Sequence, residues 1–170
     1  MLRPYLLMAL VLFCSMSAQG QPAIDGTLLG IDEPALKGLF PDIQRVAKPA
    51  MGPHRARGIW RLKQTPLADL SLDTTFFFSR RHVVRIEQQA MLDQPDCPAP
   101  APDTALLSEL QARYGSSLAV NTNDANGHAQ RSVVWVAQGA NVTLYLTQES
   151  TQCDVLLVYQ PHIEADGSEL

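Results

Sequence analysis

A helical stretch followed by strand-forming runs occurs twice along this chain, in the same order. Two copies of one α+β unit can lay their strands side by side in a shared sheet, which limits the available architectures sharply. Ala35–Leu36 answers Ala105–Leu106 at 70 residues, Trp60 answers Trp135 at 75, and Gln88 answers Gln160 at 72. Element order carries the doubling, because identity between the halves is otherwise poor. The predicted fold class is α+β: two tandem helix-plus-antiparallel-strand units forming a curved sheet with helices on one face. The units are residues 21–93 and 104–160, joined by a proline-stiffened linker at 94–103 and followed by a loose tail at 161–170.

Local signals fill in each unit. Asp32 is a suitable N-cap with Pro34 in the first turn, and Ala35, Leu36, Leu39, Ile43 and Val46 recur at helical spacing. Pro41 breaks that run, so two short helical pieces are expected, then a loop over residues 49–57. Strands are predicted at 59–63, within 67–79 and at 83–89, with Trp60 and Leu62 sharing one face of their strand and Val84 and Ile86 one face of theirs. In the second unit Asp103 or Thr104 caps a helix with Leu106, Leu107, Leu110 and Tyr114 as its apolar side, ended by Gly115. A polar loop is expected at 116–131, with Asn126–Gly127 as a turn, then strands at 133–137, 141–148 and 154–160.

Residues 1–20 read as an export signal: Arg3, an apolar run from Leu6 to Phe13, and small residues before Gln21. About eight apolar residues are too few to span a bilayer. Cys14 is a candidate for lipidation, but the bulky Phe13 before it departs from the lipoprotein pattern. Membrane association is therefore not expected unless Cys14 is lipidated, and the expected location is periplasmic or secreted. With the leader removed, Cys97 and Cys153 remain, and a bridge between them is the default in an exported protein. Separate thiols or a metal pair fit less well, since neither cysteine has a CxxC neighbour or a nearby His.

Net charge conceals a division. Residues 37–85 hold ten Lys or Arg (37, 45, 48, 55, 57, 61, 63, 80, 81, 85) against Asp42, Asp69 and Asp73. Residues 86–170 hold Arg113 and Arg131 against eleven Asp or Glu. Either the halves attract each other internally, or the basic half forms a face for an acidic partner. Nucleic acid is not expected, as basic and aromatic residues do not interleave.

No catalytic motif of the GxSxG, HExxH, GxxxxGK[ST] or GxGxxG kind occurs. The histidines at 54, 82, 128 and 162 stand apart from one another and from metal-ligand spacings. In the loop 121–127, taking Gly127 as position six of a calcium loop puts Val133 where Glu is required. Asp69, Asp73 and Glu87 sit among strong bases and read as ion-pair partners. No enzyme, cofactor or metal is expected. Asn141–Val142–Thr143 is a sequon match.

An interaction surface remains. With Trp60, Leu62, Val84 and Ile86 packed under helices, the opposite face presents Arg61, Lys63, Arg85 and Phe77; in the second unit Tyr145 points the same way. Arg and Tyr are residue types that carry binding energy at interfaces. The competing reading is that these charges are solvated and Tyr145 is covered.

The tandem layout in an exported chain resembles the β-lactamase-inhibitor-protein-like fold, which includes secreted enzyme inhibitors and, as a single unit, a small lipoprotein of outer-membrane assembly. The resemblance rests on topology over most of the mature chain, and no family motif is matched. It implies a non-catalytic protein-binding module that inhibits or neutralises an envelope or secreted protein. An envelope-assembly accessory role is the alternative, and a small hydrolase stands third.

Overall fold

The computed structural model describes residues 22–93, 105–125, 128–148 and 151–162. The leader with Cys14, the linker with Cys97, the cap candidates Asp103 and Thr104, the Asn126–Gly127 turn and the tail beyond His162 lie outside the described residues.

The first helix, α1 (Glu33–Leu39), begins where the Asp32 carboxylate accepts from the Ala35 N–H at 2.9 Å. It ends at Phe40, whose N–H donates to the Leu36 carbonyl, one residue before Pro41. The second helical piece expected around Ile43 and Val46 does not form. That stretch is strand β1 (Gln44–Met51), which pairs with its neighbour from Gln44↔Arg61, while Pro41 and Pro49 leave little room for a helix between them. Pro49 is tolerated there because β1 pairs with its neighbour only at Gln44–Arg45 and Ala50–Met51, with an irregularity between.

Seven more strands follow: β2 (Arg57–Leu67), β3 (Leu70–Ser79), β4 (His82–Asp93), β5 (Ala119–Ala125), β6 (His128–Ala137), β7 (Ala140–Gln148) and β8 (Gln152–Pro161). Helix α2 (Ala105–Tyr114) separates β4 from β5 and stops at Gly115, whose φ of +81° suits a C′ glycine. All eight strands form one antiparallel sheet in the order β1-β2-β3-β4-β8-β7-β6-β5.

This corrects the predicted fold class. The molecule is mostly an eight-stranded antiparallel sheet with two short helices, not two tandem helix-plus-strand units. The physical reason lies at the centre. Strands β4 and β8 run side by side from Ile86↔Tyr159 to Asp93↔Gln152 without a break. One buried cluster takes in Leu36, Phe40 and Phe76 together with Leu110, Trp135 and Leu157, so neither half closes a core of its own. The predicted polar loop at 116–131 is also corrected: it is the β5–β6 hairpin, in register from Ala119↔Val134 to Ala125↔His128.

The helices share one face of the sheet. Trp60, Phe76, Ile86, Tyr159, Val142 and Trp135 form a single registered row across β2, β3, β4, β8, β7 and β6. Phe40 at the end of α1 packs on Phe76 at 5.8 Å between ring centres, and Tyr114 of α2 packs on both Trp135 and Tyr159 at 6.4 Å. Because α1 and α2 touch the same row, they cover the same side.

Beneath them lies a connected set of polar groups. The Tyr114 hydroxyl donates to Tyr159, and Tyr159 donates to Gln88 Oε1 at 3.1 Å. Gln88 Nε2 donates to Thr65 and Thr74, and Thr65 donates to the Leu72 carbonyl at 2.7 Å. Thr65, Thr74 and Gln88 are all buried, so each bond replaces hydration that burial removed. Thr65 reaches this face only because Gln64, at φ +54°, adds a bulge to β2 that shifts the register after Leu62.

Candidate protein-binding face and its basic end

The opposite side of the sheet bears neither α1 nor α2. Gln44, Arg61, Thr75, Glu87, Val158, Thr143, Val134 and Ala119 form a registered row across all eight strands of it. Four of the five residues expected to bind a partner lie on this side. Arg61 sits opposite Thr75, Phe77 opposite Arg85, and Tyr145 opposite Leu156. Arg61 and Tyr145 are four strand spacings apart, about 19 Å. Lys63 is exposed but falls in the irregular stretch between Leu62 and Thr65, so it is not registered with the others.

Their surroundings differ. Arg61 is partly buried, and its Nε is buried with no hydrogen-bond partner among the described residues. It lines a groove of ≈ 350 Å³ with Ser71, Asp73, Thr75, Gln89 and the 66% exposed Met91. Arg85 is already engaged: its Nε donates to Glu87 at 2.6 Å and its Nη1 to Gln160 at 3.1 Å. Phe77 is 3% exposed, with its ring against Gly52 and Gly58. A Cβ on Gly58 would lie 3.0 Å from Phe77 Cε1, so the absence of side chains there lets the β1–β2 connection close over the ring. Tyr145 is partly buried.

Val84 does not share a side with Ile86 as the alternation predicted. The β3–β4 register shifts between Phe77↔Arg85 and Phe78↔Val83, so the 1% exposed Val83 enters the core in place of Val84. The extra residue of a bulge leaves no trace in a period-two pattern.

Sequence reasoning missed a second feature. The β1–β2 connection and the β3–β4 turn meet at one end of the sheet, since Arg57 pairs with Phe78 and Ser79 with His82. His54, Arg55, Arg57, Arg80, Arg81 and His82 are exposed there. His54 (φ +54°), Arg55 (φ +62°), Arg80 (φ +49°) and Arg81 (φ +76°) all occupy the left-handed region. The motifs PHRAR and SRRH were legible as charged loops, but their adjacency depends on strand pairing.

Apart from Arg85–Glu87 at the boundary, no ion pair among the described residues links the basic half to the acidic half. Ion pairs join Lys37 to Glu33, Arg85 to Glu87 and Arg113 to Glu109, residues two or four apart in sequence. Arg45, Lys48, Arg55, Arg57, Lys63, Arg80 and Arg81 make no ion pair among the described residues. The helix-side pair is local too: Lys37 holds the Glu33 carboxyl below its usual range through their hydrogen bond and lies 4.3 Å above the Trp60 ring.

Among the described residues no three His, Cys, Asp or Glu side chains converge on a metal position. His162 bonds Asn141 and His82 bonds the Arg80 carbonyl. In the sequon Thr143 is buried, and the partly buried Asn141 bonds His162 through its side-chain oxygen. Cys153 is buried at the start of β8; its expected partner Cys97 is outside the described residues. No protein-family model matches this chain, and neither a curated protein nor a solved structure matches it.

Proposed function

We propose that this chain is an exported, non-catalytic binding protein that captures an envelope or secreted protein on the open face of its sheet and neutralises it. Arg61 carries the reading. Arg61 lines the open groove, and its Nε is buried with no hydrogen-bond partner among the described residues, so a carboxylate entering the groove would meet the rest of the guanidinium in short, directional charge-assisted bonds. The adjacent groove is polar along Ser71, Asp73 and Gln89, with Met91 as an exposed adaptable apolar contact. Surplus positive charge on the first half favours a partner with an acidic surface and speeds its approach.

Capture from an envelope extract with the purified protein, compared with its Arg61→Gln variant, tests this. One stoichiometric partner whose own activity falls on binding, and whose affinity drops about tenfold or more with Arg61→Gln, is the expected result. Equal affinity for the variant would place the contact elsewhere. Recovery of outer-membrane assembly machinery would reassign the role from neutralisation to assembly.

A further inference from the structure

The basic end of the sheet poses a separate question. In a type I′ two-residue hairpin turn both central residues take positive φ, and Asn–Gly is the pairing that does so at least strain. This chain has Arg80–Arg81 there, at φ +49° and +76°. The neighbouring connection repeats the choice with His54–Arg55 at φ +54° and +62°. Four cationic or titratable side chains thus occupy backbone positions that favour glycine or asparagine, side by side and exposed. Positive φ at non-glycine residues also occurs at Ala68 and Gln138 in other turns of the sheet, so what sets this end apart is its four cationic or titratable side chains.

Among the described residues no acidic side chain pairs with Arg55, Arg57, Arg80 or Arg81. Asp32 bridges His82 through its backbone, and its carboxylate accepts from the Ala35 N–H at the start of α1. Beside the arginines, Met51 is 65% exposed at the end of β1, opposite Arg57.

We infer that this end of the sheet docks on an anionic lipid surface. Guanidinium forks suit phosphate, and each positive side chain near such a membrane adds attraction that salt screens. Met51 supplies an apolar contact at the headgroup boundary. The contact is peripheral and needs no lipid anchor. Its contact residues are separate from Arg61, which lies on the sheet face and not at this end.

Sedimentation of the purified protein with phosphatidylcholine vesicles, with and without about one part in four phosphatidylglycerol, tests it. Binding is expected only with phosphatidylglycerol, and is lost when salt is raised to about 0.5 M. The double variant Arg80→Asn/Arg81→Gly suits the turn better than the native pair, so it folds while removing two charges. Its vesicle affinity should fall about thirtyfold, whereas Arg61→Gln should leave vesicle binding unchanged. Absence of phosphatidylglycerol-dependent binding, or retention of it in the turn variant, overturns the inference. The same result would follow if an acidic protein were the true occupant, and loss of captured protein in the turn variant would identify that case.

Discussion

Tyr159 donates its hydroxyl hydrogen to Gln88 Oε1 at 3.1 Å, joining β8 to β4 beneath α2 at the seam between the two halves of the sheet. Gln88 passes the connection on to Thr65 and Thr74, so this amide ties four strands together. Replacing Gln88 with Leu leaves the Tyr159 hydroxyl buried without its acceptor and should cost about 2 kcal/mol. In urea titration the double variant Gln88→Leu/Tyr159→Phe should lose less than the sum of the singles. Strict additivity would mean the bond contributes nothing of its own.

Burial raises the ionisation of Tyr159 well above its ordinary position and that of Tyr114 to a lesser degree. Both hydroxyls therefore keep their protons in the folded chain when they would lose them unfolded. The sign follows: this contribution is fully present below about pH 10 and declines as pH rises beyond it, because the unfolded state then binds fewer protons. Urea midpoints should fall above about pH 10, and Tyr114→Phe/Tyr159→Phe should flatten that fall. An unchanged slope in the double variant would assign the alkaline loss to other groups.

Gly58 admits no side chain. A Cβ there would sit 2.8 Å from Thr75 Cγ2 and 3.0 Å from Phe77 Cε1. Gly58→Ala should destabilise by about 1–3 kcal/mol, and Phe77→Leu in the same chain should restore part of it. If Gly58→Ala is neutral by thermal unfolding, the β1–β2 connection is looser over Phe77 than its packing indicates.

A Cys97–Cys153 bridge would close a loop of about 56 residues and add about 4 kcal/mol through the unfolded chain. Oxidised protein with its leader removed should yield no free thiol on denaturation, and reduction should lower the urea midpoint. Two thiols titrating before reduction would dismiss the bridge.

What could be read from the sequence depended on local causes. Asp32, Pro34 and Pro41 set the start and end of α1, since capping and the missing proline N–H act within one turn. The inner strands announced themselves by apolar alternation, as in Trp60 and Leu62. The edge strands were not legible: QRVAKPAM and AVNTNDA are exposed along most of their length, so neither carries the one-sided burial that writes a period into a sequence.

Candidate residues divide in the same way. Arg61 and Arg85 were identifiable by type and strand parity, but only side-chain packing separates the unpaired Arg61 Nε from the Arg85 guanidinium held by Glu87 and Gln160. Phe77 was legible as outward-facing, and only the close approach of Gly52 and Gly58 buries it. The sequence by itself determined where charges, caps and apolar stripes lie along the chain. Tertiary structure decided which of them meet, because the β4–β8 pairing and the bulges at Gln64 and Val84 are contacts between distant segments. No local pattern encodes such contacts, nor the β2–β3 pairing that brings His54 and Arg55 beside Arg80 and Arg81 at one end of the sheet.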